Sequence, residues 1–148
     1  MFSGWFDHTI DAKGRVSVPV QFRNRLGGDP RLVAAPYTVQ GQRCIDVYPY
    51  PEWQALLDRF ATVPKFTAQA AKFEVGYLGR SHQCDLDDAG RILVPPMLRR
   101  YAHLSKDVVF LGANARFRMM ARELWSKVEG ELDAEAAVNP APYEGLGL

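Results

Sequence analysis

Asp11-Ala-Lys-Gly-Arg-Val-Ser-Val-Pro-Val-Gln-Phe-Arg23 occurs twice in this chain, the second time 76 positions later as Asp87-Asp-Ala-Gly-Arg-Ile-Leu-Val-Pro-Pro-Met-Leu-Arg99. Six of the thirteen aligned positions are identical: Asp11/Asp87, Gly14/Gly90, Arg15/Arg91, Val18/Val94, Pro19/Pro95 and Arg23/Arg99. Ordinary amino-acid usage would give about one. Val16/Ile92 and Phe22/Leu98 are apolar in both copies, and the same offset lays Leu32-Val-Ala-Ala35 on Val108-Val-Phe-Leu111. The chain is built from an internal repeat.

Each copy has a physical reading. Asp-x-x-Gly suits a type I turn whose glycine takes positive φ. Apolar and β-branched residues on both sides predict a β-hairpin, Trp5 to Ile10 with Arg15 to Val18. Pro19 suits the start of a short helix reaching Leu26, ended by Gly27-Gly28. Copy two repeats the plan with Cys84 and Leu86, the turn, Ile92 and Val94, Pro95, then Leu98 and Ala102. A unit of roughly 45 residues is marginal alone, so the two copies are expected to interlock around one core.

The motif Asp-x-x-Gly-Arg-x-x-x-Pro-x-x-x-Arg, present twice, resembles the SpoVT/AbrB-type DNA-binding module. Together with Met1-Phe2, Gly4 and His8-Thr9, it makes the chain similar to the MraZ family from Met1 to about Trp125. The resemblance implies an α+β fold, a pseudo-symmetric swapped-hairpin (AbrB-like) β-barrel made from two tandem modules with flanking helices. It also implies a ring-shaped homo-oligomer binding double-stranded DNA at direct repeats in the promoter of the division and cell-wall gene cluster. There are two departures. The family usually has a Phe-Glu-aliphatic-Trp strand where this chain has Phe117-Arg-Met-Met120. The second turn carries Asp88-Ala89 where a basic residue is common.

Outward from the repeats, Leu32 to Val39 and Arg43 to Tyr48 read as strands. Pro51 to Ala61 reads as a helix with Trp53, Leu56, Leu57 and Phe60 on one face, and a second helix is expected from about Lys65 to Leu78. Glu123 to Leu132 looks like a last helix, with a frayed tail beyond Asp133. The domain division is module 1 at 5–50, a helical connector at 51–78, module 2 at 79–122, and a C-terminal helix with an acidic tail at 123–148. The net charge of +1 conceals a pattern. Residues 1–31 hold five Lys/Arg against three Asp/Glu, and residues 79–118 hold seven against four. Residues 119–148 hold two against six, so an acidic end masks basic repeats. No apolar run approaches membrane-spanning length, and no signal pattern opens the chain. Two cysteines make no disulfide framework, so a cytoplasmic protein is expected, and the family resemblance implies that it is nucleoid-associated.

Arg15 and Arg91 directly follow the turn glycines, where a guanidinium can address guanine or straddle a phosphate. Lys13 at the first turn tip would act as a point charge. Asp11 and Asp87 either take part in binding or pair with these arginines across the turn, and the residues alone leave both open. Arg23 and Arg99 are candidates at the helix ends, with a structural bond to a carboxylate or carbonyl as their favoured role. Arg25, Arg31 and Arg100 read as solvated surface. Against an enzyme, His82 and Cys84 share a strand face, but no second Cys/His pair accompanies them, and there is no phosphate loop, nucleophile elbow or zinc-helix motif. No cofactor, metal or small-molecule substrate is expected. The competing reading is a non-catalytic assembly protein that binds another protein through the same basic edge.

Overall fold

Thr67 accepts a bond from Ala70 N at 3.0 Å and Pro51 sits in a first helical turn, so the chain's own capping chemistry places two of its five helices. The computed structural model describes residues 1–148. In order, the elements are β1 (Trp5–Thr9), β2 (Arg15–Ser17), α1 (Val20–Arg23), β3 (Leu32–Val39), β4 (Gln42–Pro49), α2 (Tyr50–Ala61) and α3 (Ala68–Gly76). Then follow β5 (His82–Gln83), β6 (Arg91–Leu93), α4 (Pro96–Tyr101), β7 (Asp107–Ala113), β8 (Arg116–Ala121) and α5 (Arg122–Val138).

The architecture is α+β, with an antiparallel six-stranded sheet in the order β1-β7-β8-β4-β3-β5 and a separate ribbon of β2 with β6. It is not the closed barrel expected from the sequence, because β1 and β5 remain as edges. Nor do the strands that flank the two repeated turns pair with each other as hairpins, although β3 and β4 pair as expected. β1 pairs with β7, from Trp5 opposite Leu111 to Thr9 opposite Asp107, while β2 pairs with β6. β5 pairs with β3 through Val33 opposite Gln83. Each copy's first strand thus lies against the other copy's third, and the second strands lie against each other. The turn does form, with Asp11 N bonded to Arg15 O at 2.9 Å and Gly14 N to Asp11 O at 3.0 Å. Immediately outside it the strands part, and Ile10 N donates to Lys106 O at 2.8 Å.

Both faces of the central strands are covered, which explains why β3 and β7 read as apolar runs rather than alternating ones. One face (Leu32, Ala34, Ile45, Val47, Val108, Phe110, Phe117, Met119) packs with Val16, Ile92, Phe22 and Leu98 from the ribbon, α1 and α4. At its centre Phe22 meets Phe2, Phe6 and Phe117 at ring distances of 5.4, 5.3 and 5.1 Å. Phe2 is held there by Phe2 N to Asn114 O at 2.8 Å, and Gly112 is required because a Cβ would run into the Ser3 backbone. The opposite face carries two smaller clusters: Val33, Ala35 and Tyr48 under Trp53 of α2, and Cys44 and Met120 under Val128 of α5. The ribbon and the connector helices α2 and α3 therefore lie on opposite sides of the sheet.

Three helix limits differ from the sequence reading. α1 is one turn long, because its bonds then tighten to three-residue closures, Arg25 N to Phe22 O at 3.0 Å and Leu26 N to Arg23 O at 3.1 Å. α3 starts at its Thr67 cap, leaving Phe66 fully exposed outside it. α5 continues to Val138, since Ala134, Glu135, Ala136 and Ala137 are strong helix formers.

Candidate nucleic-acid interface

The two Asp-x-x-Gly-Arg turns are built alike. Asp11 Oδ1 accepts from the backbone N–H of Lys13 and of Arg15, both at 2.9 Å, and Oδ2 accepts from Arg15 Nε at 3.2 Å. Asp87 does the same with Ala89 N, Arg91 N and Arg91 Nε at 2.9, 2.9 and 3.2 Å. The aspartates are thus turn-formers that also grip the arginines by Nε. That leaves both terminal nitrogens of each half-exposed guanidinium without a partner in the chain. The backbone N–H of Arg15 and of Arg91 chiefly hold the two carboxyls below the usual carboxylate range, with the guanidiniums adding to it. A carboxylate with a depressed pKa contributes stability above the ordinary value near 3.9, and this is lost as pH falls through the folded value. Both turns are therefore intact at neutral pH.

Val16 and Ile92 point inward and are 1 % exposed. Their neighbours Arg15 and Ser17 on β2, with Arg91 and Leu93 on β6, must then project from the outer face. In register, Arg15 stands opposite Leu93 and Ser17 opposite Arg91. The arginines occupy a diagonal, with Cα atoms about 7–8 Å apart. Lys13 is exposed at one turn tip, and Asp88 and Ala89 at the other. Arg25 and Arg100 are exposed as expected, while Arg31 is fastened to Asp29 at 2.9 Å.

Arg23 and Arg99 depart from the expected carboxylate or carbonyl bond. Each lies over the glycine of the other copy's turn. A Cβ at Gly14 would stand 2.6 Å from Arg99 Nη1, and one at Gly90 would run into the guanidinium of Arg23. Arg23 Nε is buried without a hydrogen-bond partner. Flat guanidiniums pack over bare peptide here, and glycine is needed for contact as well as for φ of +88° and +76°. Gly14→Ala is expected to cost roughly 1–2 kcal/mol in backbone strain alone. That is a fall in Tm of about 2–8 °C for a chain of this size, with further loss from displacing Arg99. Adding Arg99→Ala should recover only that further part. An unchanged melting curve for Gly14→Ala would refute the contact.

A second polar cluster was not anticipated from the sequence. Asp46 on β4 is fully buried and accepts from Arg118 Nε at 2.6 Å, Arg116 Nε at 3.1 Å and Tyr77 Oη at 3.0 Å. With its one proton given to Asp46, Tyr77 Oη is left to accept from Tyr48 Oη at 3.2 Å, and Arg118 lies 4.4 Å from the Tyr37 ring centre. Its signal was one acid inside the apolar run Cys44-Ile-Asp-Val-Tyr48, matched by alternating Arg116 and Arg118 on a strand. The cluster gives the atypical Phe117-Arg-Met-Met120 segment a reason. Arg118 faces a buried acid, and β8 pairs on both sides with β7 and β4. Elsewhere, burial pushes the thiols of Cys44 and Cys84 up to about 12, so neither supplies a nucleophilic thiolate at neutral pH.

Proteins similar to this chain are named as transcriptional regulators. One from Desulfitobacterium hafniense is 37% identical over 148 residues, covering 100% of both chains. One from Heliobacterium modesticaldum is 40% identical over 127 residues, 86% of this chain and 85% of its own. One from Thermoanaerobacter pseudethanolicus is 36% identical over 133 residues, 90% of each. All three bear the name "Transcriptional regulator MraZ". The family model described as "MraZ protein, putative antitoxin-like" matches residues 1–75 and 77–142. The chain belongs to the MraZ family.

Proposed function

We propose that this protein is a DNA-binding transcriptional regulator that reads duplex DNA with the outer face of the β2–β6 ribbon. The observation that carries the reading is the pair Arg15 and Arg91, each gripped by Nε and projecting from one exposed two-stranded ribbon. A ribbon of this kind enters a major groove, and a diagonal of about 7–8 Å spans roughly two base-pair steps. Arg15 and Arg91 would address guanine edges, and Lys13, Arg25 and Arg100 would meet phosphates. Asp11 and Asp87 act by aiming the arginines. Arg23 and Arg99 act by fixing each turn to the opposite copy. Within this reading the crossed strand pairing is the swapped-hairpin form of two SpoVT/AbrB-type modules, with the domain division set out above.

The protein would assemble as a ring and bind short direct repeats in the promoter of the division and cell-wall gene cluster, as a nucleoid-associated cytoplasmic factor. Two features support assembly. Each module is only weakly basic, so useful affinity needs several heads engaged together. The connector, on the sheet side away from the ribbon, exposes Phe66 and Val75. A head-to-tail ring presents every ribbon in the same sense and so calls for direct repeats. The test is solution mass together with affinity for DNA from upstream of its own gene carrying one, two or three repeats, at two salt concentrations. Affinity should rise with repeat number and fall steeply with salt. A monomer or dimer preferring an inverted repeat would overturn the assembly. Salt-independent indifference to duplex DNA would favour the protein-binding alternative.

A further inference from the structure

The outer face of the ribbon is nearly two-fold symmetric, and it fails to be so at one pair of residues. The 76-residue offset relates Arg15 to Arg91 and Ser17 to Leu93. Within the ribbon, Arg15 stands opposite Leu93 and Ser17 opposite Arg91, so all four share the outer face. Leu93 is 54 % exposed and is the one apolar residue among these four. A lone surface leucine is ordinary, but this one stands directly across from the arginine argued to read guanine. Directly opposed side chains lie about 4.5–5.5 Å apart at Cβ. Whatever base edge Arg15 meets, Leu93 meets the same base pair or the next one. The major-groove edges offer one apolar group, the thymine 5-methyl.

We propose that Leu93 is a specificity-determining residue that packs on a thymine methyl within a base pair or so of the guanine contacted by Arg15. This rests on the DNA-reading role of the ribbon and adds to it a base identity and a direction. Two arginines on a two-fold ribbon would read a short site equally well in either orientation. With Ser17 on one side and Leu93 on the other, the two orientations differ. Each head acquires a polarity along the duplex, and that polarity is what lets heads facing one way select direct rather than inverted repeats.

The experiment uses the full-length protein and the duplex it binds from upstream of its gene. Each thymine is replaced in turn by deoxyuridine, which removes the methyl and leaves every hydrogen-bonding group in place. One thymine per repeat should weaken wild-type binding by about fourfold per engaged repeat, the equivalent of one buried methyl at about 0.8 kcal/mol. Leu93→Ala should lose a similar factor on thymine DNA and become indifferent to uridine at that position, giving a coupling in the double-mutant cycle. Ser17→Ala should leave the uridine effect unchanged. Because Leu93 is half out of the core, Leu93→Ala should keep the wild-type melting temperature. If no uridine weakens wild-type binding, or if Leu93→Ala keeps the wild-type thymine dependence, the proposal is overturned while DNA reading by the ribbon stands. If Leu93→Ala keeps that dependence and changes the solution mass, Leu93 is instead a contact between copies. If wild type binds no duplex at all, the reading of the ribbon falls and this proposal with it.

Discussion

Replacing Arg15 by alanine is expected to remove specific DNA binding while leaving the melting temperature within a few degrees of wild type. The turn is shaped by Asp11 Oδ1 accepting from backbone N–H groups at Lys13 and Arg15, and alanine retains the second as well as the first. What disappears is a half-exposed ion pair at 3.2 Å, a kind of contact that water and salt screen strongly. A bidentate arginine–guanine contact discriminates by about 1–3 kcal/mol. With three heads bound to three repeats, the loss compounds to about a hundredfold or more. Arg91→Ala should cost less. Its turn carries Asp88 and Ala89 where the first carries Ala12 and Lys13, so phosphate approaches it less readily. A normal affinity with a sharply lowered Tm for Arg15→Ala would make the Asp11–Arg15 pair structural. Equal losses for the two arginines would remove the ranking.

Asp46→Ala should be the most destabilising change away from the aromatic core. The carboxylate is fully buried and satisfies two guanidiniums and a tyrosine hydroxyl. Breaking a buried pair from one side costs about 3–5 kcal/mol. The lower end applies here, since the side chains of Arg116 and Arg118 keep 27% and 17% of their exposure and can turn partly to water. At about 2–4 °C per kcal/mol, Tm should fall by at least roughly 6–12 °C. Combining Asp46→Leu with Arg116→Met and Arg118→Met should recover most of the loss, because apolar groups of similar volume replace buried ion clusters at little cost. Tyr77→Phe, which cuts only the tie to the connector, should cost less than Asp46→Ala. A melting curve for Asp46→Ala that overlays wild type would show that the cluster contributes nothing.

The local chemistry was legible in the sequence because it is local. The turn asks for Asp, Gly and Arg at fixed spacing, α2 shows its buried face in Trp53 and its neighbours, and the apolar runs of β3 and β7 announce strands covered on both sides. Strand partners were not legible. The Asp11 turn satisfies its own hydrogen bonds whichever strand lies beyond it, so nothing near it indicates that Trp5–Thr9 belongs beside β7. The barrel failed for the same reason, since closure depends on how distant edges meet. Arg23 and Arg99 read as helix-end residues seeking an acceptor. Their actual neighbour is a glycine in the other copy, and a residue without a side chain leaves no complementary signal. Asp46 was within reach, because one acid in an apolar strand requires partners and β8 offers two arginines at alternating positions.

The crossed pairing of β1 also sets a schedule for making the protein. Trp5 finds its partner in Leu111, so the first strand off the ribosome has no sheet to join until the chain is about 100 residues longer. At roughly 5–20 residues per second, that is on the order of 5–20 s of synthesis. For most of this interval β2 lacks β6, and the glycine at position 14 lacks its covering arginine. A nascent or truncated chain therefore carries Arg15 on an unformed ribbon, and the surface proposed to read DNA is completed only after β6 and Arg99 have been made.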